Sequence, residues 1–294
     1  MGGDIMGVVG LDIMSKRGKR RKYLPLEIRM EMYDDVVELG RQGLKPSEIQ
    51  KKVYEKYGKQ ISIRNIYNWI NGKHYPLGNI NKFDEKPSPE LGYVIGAMLS
   101  DGCLYFDGKN YLYLLLLAVN DKEYAEEFGR CLAKVLGKKE PYKPFWNKNL
   151  KQWVVKESSI QLFEFLNRPF EELKFYIEYS KENVTSFLRA LFDGDGSIYV
   201  KIKGERRKRQ LYLHNTNEKL LGYVQYLLKE YFGINSTLHL ATKKGSIRHF
   251  PNKITKTTKD YYYLYVHVRG LLNFYKHIGF TIKRKQQRLI KAFK

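Results

Sequence analysis

Cysteine is nearly absent from this 294-residue chain: only Cys103 and Cys131 occur. Two thiols cannot build a disulfide framework or a Cys-rich zinc site, and they suit a reducing compartment. Histidine is scarce as well, with six residues and no His-x-x-x-His pair. Acids are in deficit, 31 against 53 Lys and Arg, which leaves a net charge of +22. That imbalance calls for a polyanionic partner, nucleic acid first and an anionic membrane surface second. The longest apolar run, Leu112–Val119, is far too short to cross a membrane. The weakly apolar residues 1–14 contain Asp4 and Asp12, and the basic cluster 16–22 follows them, the wrong order for a secretory signal. A cytoplasmic protein is expected. Hydrophobic content of 43% is ordinary, and 24 tyrosines are available for cores and nucleic-acid surfaces alike.

The chain does contain a duplicated motif. Gly92-Tyr93-Val94-Ile95-Gly96-Ala97-Met98-Leu99-Ser100-Asp101-Gly102 is followed by Ser186-Phe187-Leu188-Arg189-Ala190-Leu191-Phe192-Asp193-Gly194-Asp195-Gly196. Each is an apolar helical stretch that ends in Asp-Gly and continues into a strand. Gly92, Gly96 and Ser100 recur at fourfold spacing, as do Ser186, Ala190 and Gly194, so each helix presents a stripe of small residues. Two such stripes packed in parallel bring Asp101 and Asp195 to the same end. Like charges forced together suppress ionisation unless a divalent cation joins them, so the motif predicts an interface and a metal site.

Residues 1–22 read as a basic tail and 23–75 as three short helices. Leu26, Met30, Tyr33 and Val37 line the first; Ile49, Val53 and Tyr57 line the second; Ile63, Ile66 and Ile70 line the third, capped by Ser62. This pattern predicts a helix-turn-helix whose last helix shows Arg64, Asn65, Asn68 and Lys73, side chains suited to base edges and phosphates. Residues 76–87, rich in Pro, Gly, Asn and Lys, read as a linker. Residues 88–181 and 182–294 then repeat one order: motif helix, hairpin, amphipathic helix, hairpin, helix. The fold class is α+β, two pseudo-symmetric αββαββα repeats with antiparallel saddle-shaped sheets, plus the small all-α N-terminal domain.

Alternation along the strands assigns one apolar and one polar face. DNA-contact candidates in the first repeat are Tyr105, Lys109, Tyr113, Lys148 and Lys151. In the second they are Tyr199, Lys201, Lys203, Arg206, Arg207, Arg209, Tyr263, Tyr265 and His267. Residues 241–259, with Lys243, Lys244 and Arg248, read as a mobile basic arm that orders on DNA. Such faces would read a major groove while flanking cations hold phosphates.

The paired motifs resemble those of the LAGLIDADG homing endonucleases, in the single-chain archaeal intron-encoded form, over roughly residues 88–294. The second copy keeps Asp193-Gly194-Asp195-Gly196; the first departs at Leu99, and Ala190 replaces a motif glycine. The resemblance implies cleavage of both strands across the minor groove of a long asymmetric double-stranded DNA site, by a monomer, leaving a short 3′ overhang. It implies Mg2+ (or Mn2+) held by Asp101 and Asp195 with the carbonyls of Ser100 and Gly194. It also implies Lys283 and Lys174 near the attacking water, and Asp121 and Asn217 as polar groups behind the acids.

Competing readings are a cleavage-inactive DNA-binding regulator and an RNA maturase on the same fold. A self-splicing intein is not expected, since Met1 and Ala292-Phe293-Lys294 lack the Cys or Ser start and the His-Asn finish of such elements.

Overall fold

The computed structural model describes residues 24, 26–76, 83–107, 112–203, 206–250 and 253–293. Three helices come first, α1 Leu26–Arg41, α2 Pro46–Tyr57 and α3 Ile63–Ile70. They enclose a core of their own, with Met32, Val36, Ile49, Val53, Ile61, Ile66 and Trp69 buried. The burial phase differs from the pattern read in the sequence. Met32 and Val36 are inward in α1, and in α3 Trp69 joins Ile66 while Ile63 is exposed. The large indole decides the phase: Tyr33 packs edge-on against it at 5.6 Å. Ser62 caps α3 as expected, its Oγ accepting from Asn65 N.

Both repeats follow in the anticipated order. The first comprises α4 Pro89–Ser100, β1 Gly102–Asp107, β2 Leu112–Val119, α5 Lys122–Val135, β3 Phe145–Asn147, β4 Gln152–Ser158, α6 Ile160–Leu166 and α7 Phe170–Glu178. The second comprises α8 Lys181–Gly194, β5 Gly196–Lys203, β6 Arg206–Asn215, α9 Glu218–Phe232, β7 Ser236–Thr242, β8 Ile247–Phe250, β9 Lys253–Lys256, β10 Tyr261–Val266, α10 Leu271–Asn273 and α11 Lys283–Lys291. Antiparallel sheets of order β1-β2-β4-β3 and β5-β6-β10-β7 result, the same topology twice.

Capping serines start both motif helices. Ser88 Oγ accepts from Leu91 N ahead of Pro89, and Ser180 Oγ accepts from Asn183 N. Residues 91–98 of α4 are buried without a break. That places α4 inside the molecule, with α8 and α5 against it, rather than half-exposed like an ordinary amphipathic helix. One core spans both repeats.

Two features go beyond what the sequence pattern showed. The 241–259 stretch contains a hairpin of its own, Ile247 pairing with Lys256 and Phe250 with Lys253. The second half of the linker is pinned to the first repeat: Phe83 packs on Phe165 at 5.0 Å, its N–H donates to Gln161, and Arg168 donates twice to Glu85 at 2.7 and 2.9 Å.

Candidate functional site

The motif helices α4 and α8 run parallel and approach through their small residues. A Cβ on Gly92 would meet Asn183 O at 2.7 Å, and one on Gly96 would meet Phe187 O at 2.5 Å. At the far end, a Cβ on Gly194 would meet Ser100 Oγ at 2.5 Å and Asp101 Oδ2 at 2.7 Å. Contact thus advances along both helices in the same direction and ends at the two acids. Asp101 is the C-cap of α4 and Asp195 the C-cap of α8.

The electrostatics follow from that placement. Helix C-termini carry partial negative charge and disfavour an added carboxylate. Asp195 is pushed up to about 7, first by burial and then by the charge of Asp101. Asp101 opens to solvent on one side, yet the protein around the rest of it raises its pKa by burial, with Asp121 adding to the effect. Two reluctant carboxylates at two negative helix ends make a site for a dication. Among the described residues no cluster of three or more His, Cys, Asp or Glu forms a metal cage. A hard cation that keeps most of its waters fits such a sparse oxygen donor set.

Lysine enters from α11. Lys285 is 6% exposed. Its Nζ donates to Phe192 O at 3.0 Å, to Asp193 O, and to Gly194 O at 3.5 Å. Burial lowers it to about 8 despite the neighbouring acids. The first turn of α11 holds Lys283, Arg284 and Lys285 and no acid, a poor composition for a positive helix end. Asp193 compensates. Its carboxylate accepts from Thr281 N at 2.9 Å, Ile282 N at 3.2 Å and Tyr93 Oη at 3.2 Å. Arg284 crosses to the first repeat and donates twice to Asp121, both at 2.6 Å.

The sequence-selected groups therefore divide. Asp101, Asp195, Ser100 and Gly194 converge. Lys283 is exposed on α11, and Lys285 holds the place against the motif carbonyls. Lys174 pairs with Glu171 at 2.6 Å and lies over the Phe170 and Tyr223 rings. Its helix packs at the first turn of α8, where Asn183 donates to Tyr176 O, about 18 Å of helix from Asp195. Asn217 caps α9 by accepting from Leu220 N. The residue that reaches an acid is Asn215, which donates to Asp195 Oδ2 at 2.7 Å. Asp121 is tied to Arg284. Lys285, Asn215, Asp193 and Arg284 were not selected from the sequence. The signal for Asn215 was its place as the last residue of β6, and for Lys285 the same basic run that held Lys283.

The outer faces are sorted by register. Gly196 pairs with Leu213 and Ser197 with Tyr212, so Tyr199, Lys201, Lys208, Gln210, Tyr212 and His214 share the outer face. Tyr263 and Tyr265 lie opposite His214 and Tyr212. His239 stacks on Tyr263 at 5.0 Å, and His214 stacks on Tyr261 at 5.9 Å. His267 faces Thr237 Oγ1 at 2.7 Å. Arg209 is a correction: it alternates with Leu211 on the inner face, and its Nη1 donates to Ala292 O. Tyr113 is another, turned inward against Phe106 and Phe163. Tyr105 is on the outer face; Lys148, Lys151, Lys243 and Lys244 are exposed. In the three-helix unit Arg64, Asn65 and Lys73 are exposed and Asn68 half-buried. Lys109 and the side chains of Lys203, Arg206, Arg207 and Arg248 lie outside the described residues.

A duplicated αββαββα core with one acid at the end of each paired motif helix defines a class of protein. A family model described as a LAGLIDADG-like domain matches residues 182–279. An uncharacterized protein of Methanocaldococcus jannaschii is 30% identical over 264 residues, covering 89% of this chain and 93% of that one. The chain belongs to the LAGLIDADG family. Among solved structures, the homing endonuclease I-DmoI in complex with DNA and Ca is similar at 17% identity and a TM-score of 0.48, covering 70% of this chain and all of that one. The full-length DUF199/WhiA protein from Thermatoga maritima is similar at 18% identity and a TM-score of 0.44, covering 72% of this chain and 62% of that one. No described helix is long and apolar enough to cross a membrane.

Proposed function

We propose that this chain is a site-specific, divalent-metal-dependent endonuclease that cuts both strands of a long asymmetric DNA site, acting as a monomer in the cytoplasm. The observation that carries this reading is the convergence of Asp101 and Asp195 at the paired helix ends, where burial shifts both carboxyls upward from their ordinary value. The two carboxylates, with the carbonyls of Ser100 and Gly194, would hold Mg2+ or Mn2+. Bound there, the metal supplies an activated water and charge stabilisation at the scissile phosphates. Asn215 fixes the orientation of Asp195. Lys285 brings a cation beside both acids, where negative charge develops on a phosphate under attack. Asp193 and Asp121 hold α11 so that this lysine stays in place. The outer sheet faces, the exposed groups of α3 and the arm at 241–259 supply the DNA contacts, and the +22 charge favours their encounter with the duplex.

One observation favours a second reading. The first repeat has Leu99 and Val119 where the second has Asp193 and Asn215, as expected of a DNA-binding regulator losing its catalytic half. Incubating the protein and Mg2+ with a randomised duplex library, then sequencing the ends produced, separates the two. Discrete ends at one sequence support the nuclease; retained, uncut, sequence-enriched DNA supports the regulator.

A further inference from the structure

One buried side chain reaches both motif helices at their last turns. Tyr124, on α5, is 1% exposed. Its Oη lies 3.1 Å from Ala190 O of α8 and 3.0 Å from Ser100 Oγ of α4. A carbonyl can only accept, so Tyr124 donates to Ala190 and takes its second bond from the Ser100 hydroxyl. Burial holds the phenol far above its ordinary range, and the charges of Asp101, Asp193 and Asp195 push the same way, so it keeps the proton that it donates. Ser100 immediately precedes Asp101, as Gly194 precedes Asp195. Its Oγ lies 2.5 Å from where a Cβ on Gly194 would sit. One chain of hydrogen bonds, Ser100 to Tyr124 to Ala190, therefore crosses the helix interface beside the two acids.

The second repeat has no counterpart. Tyr124 is the third residue after Asp121, the N-cap of α5; the third after Asn217, the N-cap of α9, is Leu220, a buried hydrocarbon. Gly194 stands where the other motif has Ser100. Tyr93 is equally one-sided. It packs edge-on to Tyr124 at 6.3 Å and donates to Asp193 Oδ2 at 3.2 Å, while its motif mate Phe187 has no hydroxyl. Small residues alone already bring the helices together at Gly92 and Gly96. Association does not need buried hydroxyls, which are costly unless each finds its partner. A hydrogen bond has a preferred length and direction, so it fixes a separation that apolar contact leaves softer.

We propose that Tyr124 is a positioning residue: through Ser100 and Ala190 it sets the separation of the two helix ends at which Asp101 and Asp195 together hold a divalent cation. The proposal rests on the metal-dependent reading above and adds to it the group that holds the two acids in register.

The test uses the full chain and Mn2+, with affinity read by calorimetry, melting followed in EDTA, and single-turnover cleavage of the selected DNA. Tyr124→Phe keeps the ring and removes the bridge. It is expected to weaken Mn2+ binding about fivefold, the worth of one buried hydrogen bond, and to slow cleavage at saturating Mn2+ by about tenfold through misplaced acids. DNA affinity in EDTA should not change. Ser100→Ala should have the same effect on Mn2+ affinity, and the double variant no greater one, because both substitutions cut a single chain. A Tyr124→Phe protein that melts lower yet binds Mn2+ and cuts as wild type overturns the proposal, since the hydroxyl would then serve stability alone. Additive losses in the double variant overturn it as well. Wild-type protein that binds Mn2+ without cutting removes the nuclease reading, and the calorimetry still decides the role of Tyr124. Wild-type protein that binds no Mn2+ removes both.

Discussion

Asn215 donates its side-chain amide to Asp195 Oδ2 at 2.7 Å, and no polar group occupies the matching position beside Asp101, where Val119 is buried. Leu99 likewise replaces the anchoring acid Asp193, and the lysine of the α7 region is engaged elsewhere. The two halves of the site are therefore unequally equipped. Cleavage should proceed one strand at a time, with a nicked circle accumulating before the linear form on a supercoiled plasmid that carries the selected site. Simultaneous appearance of linear product, with no nicked intermediate at early times, contradicts this.

Asp101→Asn and Asp195→Asn should each abolish cleavage and leave DNA affinity within a few-fold, since the acids contribute chemistry and not the binding face. Single-turnover assays and gel shifts on the same DNA provide the check. Full cleavage by either variant removes the active-site assignment.

Asp195→Asn should also raise the stability of the metal-free protein. The folded carboxyl titrates near 7 against an ordinary 3.8. Between those values the folded chain keeps a proton that the unfolded chain has released, so stability falls as pH rises through that window. At pH 8 in EDTA the variant should melt about 2–4 °C higher, the shift that ~1 kcal/mol gives in a chain of this size. At pH 4 the difference should vanish. For the same reason Mn2+ affinity, read by calorimetry, should strengthen from pH 5.5 to 7.5 and then level off, because protons compete for Asp195 below about 7.

Lys285→Met should slow cutting by ~10²-fold, as loss of one preorganised electrostatic group does, while Lys283→Ala has a smaller effect. Methionine fills the buried channel, so a melting temperature near wild type distinguishes lost chemistry from lost folding. A larger defect in the Lys283 variant would return the role to that residue.

Gly96→Ala tests the helix contact itself. The added methyl would sit 2.5 Å from Phe187 O and 3.0 Å from Ala190 Cβ. Overpacking of this kind costs about 1–3 kcal/mol, and separating the helices moves Asp101 from Asp195. Both the melting temperature and the cleavage rate should fall; an unchanged rate would mean that the acids do not depend on this contact.

The repeat order, the parallel motif helices and the acid pair were legible in the sequence. Capping serines, small-residue stripes and terminal Asp-Gly are local patterns, and a duplication fixes how two copies must meet. Other features depended on parity and phase, which no local pattern settles. Arg209 and Tyr113 looked like surface residues until strand pairing placed them with Leu211 and Leu115 on the inner faces. Asn215 and Asn217 are two residues apart, yet one reaches Asp195 and the other ends in a helix cap. Lys283 and Lys285 differ by about half a helical turn, and only where α11 begins decides which of them is buried. That start is set by Asp193, a contact from a helix nearly ninety residues earlier in the chain. The chemistry of the site was written in residue types; its division between a well-supported half and a bare one was decided by which side chains the tertiary packing turned toward it.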